Sequence, residues 1–412
     1  MNRRSRNLIV ILVVVVVVLL VAGSRVLGLW RVFKPIPTLD AICALARDRQ
    51  FDRAQQLMGR YLRADPENDL AHLLMAQFAL DRPDPQTRLA LDHLSRVRPC
   101  TPRQAAVLRF TEGKAHYLRK RYDLAEESWK EALKLDPKVP EAGWALLDLL
   151  DLEARVEEAH QLCMRMYEIE PDPRDRIRYL LEAIRVDIDK VAPGSQVPIF
   201  EPLVKEHPEN LPLSLVVGLA LVHDSRGEEG LKVLRAALDR YPDSADAWDG
   251  WLTGLADGFQ PDELVREWGR LPQALAADPR FAKHEGVVAQ QVRDRARAIR
   301  AYRRAVKFEP FNGPILYRLR LVLQLAGKSA EAQRVDRDLT AYQAAFKQVR
   351  GVYQEALQVP TLGLLPHPEL YQRLADLREK MGRLDEAGAW HRLVLRDRPD
   401  DPVSLAALSR LK

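Results

Sequence analysis

Cysteine is scarce: Cys43, Cys100 and Cys163 are the only three in 412 residues. No two have CxxC spacing and none clusters with histidine, which excludes a zinc finger and a dithiol redox motif. The odd count excludes a full disulfide framework and leaves room for one bridge. Cys163 falls on the core-facing side of its helix and reads as a small buried hydrophobe. Glycine (20) and proline (27) are too few for a low-complexity chain. No glycine-rich loop has phosphate-binding form, no GxSxG occurs, and His284-Glu285 lacks the second histidine of a zinc protease helix. Histidines and carboxylates are scattered, and charges on helices are usually a solvated face. The chain therefore reads as a non-enzyme, with no catalytic residue, cofactor or metal site.

Charge of either sign is not lacking, but it is uneven. The formal net charge is +5. Residues 1–34 hold six basic side chains and no acid, and residues 280–320 hold eleven against three acids, which leaves the remainder at −9. A pI near 9 is thus no mark of a nucleic-acid binder here.

One long hydrophobic run is present. Leu8–Ala22 is fifteen apolar residues in a row, preceded by Arg3, Arg4 and Arg6. Fifteen helical residues rise about 22 Å, short of a hydrocarbon core of roughly 30 Å. Extension to Leu27 makes a span if Arg25 snorkels, with Trp30 in the far headgroup layer. A cleavable signal segment ending at Val21-Ala22-Gly23 is the competing reading. The apolar run is at the upper limit for a signal core, so an uncleaved single-pass anchor over residues 8–27 is expected. A lipid-modified protein would need Cys where Ser24 stands. The flanking charges nearly tie, and the body is expected on the exported side.

After the spacer Lys34–Pro37 come helical patterns, with Thr38 as a candidate N-cap. Prolines 66, 99, 137, 171, 208, 242, 279 and 310 recur at 33, 38, 34, 37, 34, 37 and 31 residues. Proline there stops a helix and sets the next turn. Ala54, Ala125, Ala159, Ala298 and Ala387 each precede such a proline by twelve residues. Small residues at that point let paired helices approach closely, as Gly113, Gly218, Gly286 and Ala375 do on first helices. The unit at 67–105 shows no clear small residue in its second helix. That at 174–210 carries an extra turn at Ala192–Ser195, and that at 245–278 is irregular around Gly258–Pro261. A long helix is expected over Ala330–Leu357, then a break at Pro360, Pro366 and Pro368. About ten helix pairs are expected, ended by a capping helix from Pro402 with Val403, Leu405 and Leu408 inward and Ser404, Ser409 and Lys412 in water.

Gly113, then Tyr122, Ala125, Trp129 and Ala132, then the stop at Asp136-Pro137, resemble a tetratricopeptide repeat, a helix-turn-helix unit of about 34 residues. The resemblance spans residues 38–412. It implies an all-α solenoid superhelix, which the apolar run places behind one N-terminal transmembrane helix: anchor or signal segment 1–30, linker 31–37, repeats 38–358, a proline-rich break 359–367, and a C-terminal repeat with cap 368–412. It also implies a protein or peptide partner held in a concave groove lined by the first helix of each unit. Carried onto the best-matched units, that places Phe110, Lys114 and Tyr117 beside Trp144, Asp148 and Asp151. Tyr117 and Trp144 are the kind of rigid aromatics that dominate interfaces; packing of Phe110 and Trp144 between repeats is the alternative. The clamp of Lys, Arg and Asn that captures acidic C-termini in this family does not fit, because the chain has five asparagines, and Asn68, Asn210 and Asn312 fall between helices. The RNA-reading relatives of the family need Asn, Asp, Ser or Thr at fixed places, and no nucleic acid is expected. A second surface is the stripe Arg293, Arg297, Arg300, Arg304 and Lys307, either a solvated face or a dock for anionic lipid or an acidic partner. The functional expectation is a membrane-anchored scaffold; the alternative is a cell-envelope assembly factor that docks through the stripe.

Overall fold

A computed structural model describes residues 37–153, 155–188, 197–224, 226–309, 312–360 and 362–411. The expected anchor at 8–27, most of the spacer and the turn at 192–195 lie outside these residues. Among the described residues no helix is long and apolar enough to cross a membrane, and the single β feature is a bridge between Leu362 and Leu365. Contacts divide the chain into two compact units, 1–104 and 105–412.

The first unit holds α1 (Leu39–Arg47), α2 (Phe51–Ala64), α3 (Asp69–Leu80) and α4 (Thr87–Leu94). Thr38 caps α1 as expected, its hydroxyl accepting from the Ala41 amide at 3.3 Å. Ile42, Ala54, Met58, Ala71 and Phe78 form the core. The expectation that this part lacks a small residue in its second short helix is corrected: Ala90 is fully buried. Because α4 has only 8 residues, the offset from that alanine to Pro99 is nine rather than twelve, and the spacing rule passes over it.

In the second unit the helices are α5 (Pro102–Leu118), α6 (Tyr122–Leu135), α7 (Pro140–Leu152), α8 (Val156–Ile169), α9 (Pro173–Ile188), α10 (Val197–Glu206), α11 (Leu211–His223), α12 (Gly227–Arg240), α13 (Ala245–Asp257), α14 (Pro261–Trp268), the short α15 (Gln273–Ala276), α16 (Ala282–Gln291), α17 (Arg295–Phe308), α18 (Gly313–Leu325), α19 (Ser329–Leu357), α20 (Pro368–Lys380), α21 (Leu384–Asp397) and α22 (Pro402–Arg410). The proline rule holds at atomic detail: Pro66, Pro137, Pro171, Pro208 and Pro242 each stand two residues beyond the helix they end. Small residues mark the close approaches. A Cβ on Gly113 would meet Trp129 at 2.4 Å, one on Gly218 Leu234 at 2.6 Å, and one on Gly286 Tyr302 at 2.4 Å. Asn68, Asn210 and Asn312 each cap a first helix, accepting from Ala71, Leu213 and Ile315 amides.

The turn inside six of the units is as regular as the one between units. Arg49, Lys120, Phe259 and Arg293 have φ between 55° and 61°, and Gly327 and Gly382 have φ of 73° and 78°; each stands two residues beyond a first helix. The irregularity expected at Gly258–Pro261 is therefore misplaced, since Phe259 fills the ordinary left-handed turn position. The departure comes later, where α14 stops after 8 residues and α15 and a 3-10 turn at Pro279–Phe281 replace the rest of the helix.

The C-terminal repeat does not trail away from residues 105–188. It returns to α8 and α9, and the break expected at 359–367 lies inside the second unit. Arg378, fully buried, donates to Glu386 at 2.7 Å and to Asp187. Arg383 donates to Asp187 at 2.6 Å and to Glu157 at 2.7 Å. His160 Nε2 bonds Glu386 at 3.1 Å, and Arg350 donates to the Ile188 carbonyl at 2.6 Å. One apolar core joins Ala159, Tyr179 and Ile184 with Val349, Tyr371 and Trp390. At the far end α22 corrects the expected register. Ser404 is buried, bonded to His391 Nδ1 at 3.1 Å and Gln372 at 3.0 Å, while Val403 and Leu405 are half exposed. Hydrogen-bond partners on α20 and α21 take the serine inward.

Candidate functional site

The six residues expected to face a partner lie on two consecutive first helices. Phe110, Lys114 and Tyr117 are on α5; Trp144, Asp148 and Asp151 are on α7. Adding the repeat length of 34 to each α5 position yields its α7 counterpart, and adding it again yields Arg178, Glu182 and Arg185 on α9. That third tier escapes a reading restricted to the best-matched pair of units, although the same period marks it.

The aromatic members have structural work. Phe110 and Tyr117 are half-buried against the core, and Tyr117 lies 5.3 Å from Tyr122 and 5.7 Å from Trp129. Trp144 stacks on Tyr179 of α9 at 4.5 Å, with the Arg178 guanidinium 4.9 Å from its ring. The alternative of packing between repeats describes Trp144, which stacks across the step from α7 to α9, and Tyr117 packs in the same manner against α6.

The polar members form a charged band. Arg185 reaches Glu182 at 2.6 Å and Asp151 at 3.1 Å. Asp148 is exposed and makes no ion pair among the described residues. Partial desolvation and the nearby Glu182 carboxylate raise its pKa above the ordinary aspartate value, against the pull of Arg185. Burial, with Asp148 second, raises the Tyr117 hydroxyl in the same way. The three tiers thus hold three carboxylates and three cations: Arg185 is shared by Asp151 and Glu182, Arg178 pairs with Asp175 at 2.9 Å, and Asp148 is the carboxylate of the row with no ion pair among the described residues, open to a cationic group brought from outside.

The basic stripe is less free than its sequence. Arg297 donates to Glu285 at 2.9 Å and Arg304 bonds the same carboxylate. Arg293 occupies the left-handed turn before α17, so it does not extend the helical stripe. Arg300 and Lys307 are exposed. A third grouping was not foreseen: ligand atoms of His160, Asp187 and Glu386 lie within 4.8 Å of one another. The Arg378 guanidinium already bonds both carboxylates, so the cation those charges need is supplied by the chain. The signal for it, an arginine and a glutamate on facing turns of α20 and α21, has no partner visible in local sequence.

A family model described as tetratricopeptide repeat matches residues 106–139, and a second of the same description matches residues 39–95. Among solved structures the chain is similar to the APC/C hetero-tetramer Cut9–Hcn1, at 15% identity, covering 90% of this chain and 76% of that one with a TM-score of 0.34. It is similar to the human IFIT1 dimer with PPP-AAAA, at 15% identity, 81% and 91% coverage and a TM-score of 0.36. A tetratricopeptide repeat protein from Parabacteroides merdae matches at 12% identity, 75% and 99% coverage and a TM-score of 0.29. No curated protein matches the chain.

Proposed function

Because the chain belongs to the tetratricopeptide-repeat family, we propose that it is a non-catalytic scaffold that binds a protein or peptide partner along the first helices α5, α7 and α9, held at a membrane by residues 8–27. The observation that carries the reading is Asp148, an exposed carboxylate with no ion pair among the described residues, which lies on the same first helix as half-buried Trp144. Such a surface suits a segment that offers lysine or arginine next to an apolar side chain. The apolar run Leu8–Ala22 supports the anchor. Docking through 293–307 is the weaker reading, because Glu285 engages two of the five cations.

The test is crosslinking and pull-down from native membranes with wild type and Asp148→Lys. Asp148 is exposed, so the variant should fold. Recovery of the native partner should fall at least tenfold, about 1.4 kcal/mol. Unchanged recovery would exclude this row, and release of the full chain by carbonate would remove the anchor from the proposal.

A further inference from the structure

α19 has 29 residues and its partner α18 has 13, so α19 outruns it by about 24 Å at 1.5 Å per residue. Its distal half packs on α9 and α20. Where the two helices part they leave a slot of about 290 Å³ lined by Gly313, Pro314, Tyr317, Leu339, Tyr342 and Gln343. Gly313 forms part of its wall, where a Cβ would stand in ordinary contact, 3.8 Å from Leu339 and 3.9 Å from Tyr342.

From the slot an apolar line continues along α18. Tyr317, Leu321 and Leu325 are 50%, 36% and 56% exposed, while Ile315, Leu316, Leu319, Val322 and Leu323 on the opposite face are buried. Four-residue spacing puts the three on one edge of the helix. Single exposed apolar side chains are ordinary; three in line that run into an apolar slot mark an interaction surface.

The surroundings give the partner its charge. Residues 312–328 contain Arg318, Arg320 and Lys328 and no acid. On α19, Glu331 is engaged by Arg303 and Asp336 by Arg320 at 3.4 Å, while Asp338, beside the slot residue Leu339, is exposed. α17 packs on α18, but its Lys307 lines a cleft with Ala276, Ala277 and Asp278, so the cations of this surface are those of residues 312–328. The Arg320 guanidinium lies 5.1 Å from the Tyr317 ring centroid, so the slot has a cation at its rim.

We propose that the α18 edge and the α18–α19 slot dock an acidic amphipathic segment of a protein partner. One bulky apolar side chain enters the slot, others at four-residue spacing lie along Leu321 and Leu325, and carboxylates meet the flanking cations. This surface is separate from the row on α5, α7 and α9 and does not depend on it.

A random 16-residue phage library selected on the full chain tests the proposal. Enriched peptides should carry net negative charge with apolar residues at i and i+4. Their binding should weaken at least tenfold in Tyr317→Ser/Leu321→Ser, and likewise in Leu325→Glu, with helicity kept. It should also weaken in 0.5 M salt. Basic or neutral consensus peptides, no enrichment, or binding indifferent to both variants would overturn it. So would phosphatidylglycerol vesicles that bind wild type and not the variants, which would make the surface a lipid dock.

Discussion

Whether glycine can become alanine depends on what lies one carbon away. At Gly113 that space is occupied, with Trp129 Nε1 at 2.4 Å from the position a Cβ would take; at Gly59 nothing lies within 4 Å. Gly113→Ala should therefore overpack the α5–α6 contact and cost about 1–3 kcal/mol. Gly59→Ala, inside α2, should stabilise by about 0.5–1 kcal/mol by removing glycine's excess chain entropy. Urea unfolding of the two variants should shift in opposite directions, and a shared sign would refute the close contact. Gly113 was legible as a small residue at a contact, because size and the 34-residue period are written in the sequence. Ser404 was not legible. Apolarity alone assigns Val403 and Leu405 inward, whereas His391 and Gln372, distant in the chain, give the serine its buried partners.

Between α3 and α4 a histidine pair makes one repeat sensitive to pH. His72 and His93 share a hydrogen bond of 2.7 Å between their Nδ1 atoms, and His72 Nε2 donates to the Pro66 carbonyl at 2.9 Å. A carbonyl only accepts, so Nε2 of His72 carries a proton and the two Nδ1 atoms have one between them. Protonating both rings would set N–H against N–H. Burial first, then His72, lowers the pKa of His93, with Asp92 opposing and Arg96 assisting. A basic group depressed in the folded state binds more protons when unfolded, so its contribution is present above the ordinary histidine value near 6.5 and is lost as pH falls through it. Hydrogen exchange of α3 and α4 amides in the full chain, corrected for intrinsic rates, should quicken between pH 7 and 5. His93→Gln should flatten that dependence; an unchanged slope would sink the idea. Repeat boundaries were readable at this scale, because proline stops and capping asparagines act within a few residues. The shortened α4 and α14 were not, because a helix that ends early leaves its period intact elsewhere.

Across the second unit the deciding contacts join residues about two hundred positions apart. No local pattern announces that Arg378 will meet Asp187, which is why the solenoid was legible and its closure was not. Arg378→Met would leave Asp187 and Glu386 buried with less compensation, and removal of one partner from such a cluster costs about 3–5 kcal/mol. An open solenoid can lose units singly from an end; this one has its last repeat fastened to an earlier one. In wild type the amides of α8–α9 and of α20–α21 should therefore lose protection from hydrogen exchange together as urea is raised, and in the variant those of α20–α21 should lose it first. Coincident loss in the variant would argue against the fastening. The same joint has a consequence in time. Synthesis runs at about 5–20 residues per second, so on the order of 10–40 s separate the emergence of Asp187 from that of its arginines. Throughout that interval the flank of α8 and α9 that will carry the C-terminal repeat is made but uncovered. The newborn chain thus passes through a stage in which a chaperone or a protease has access to a surface that the finished molecule never shows.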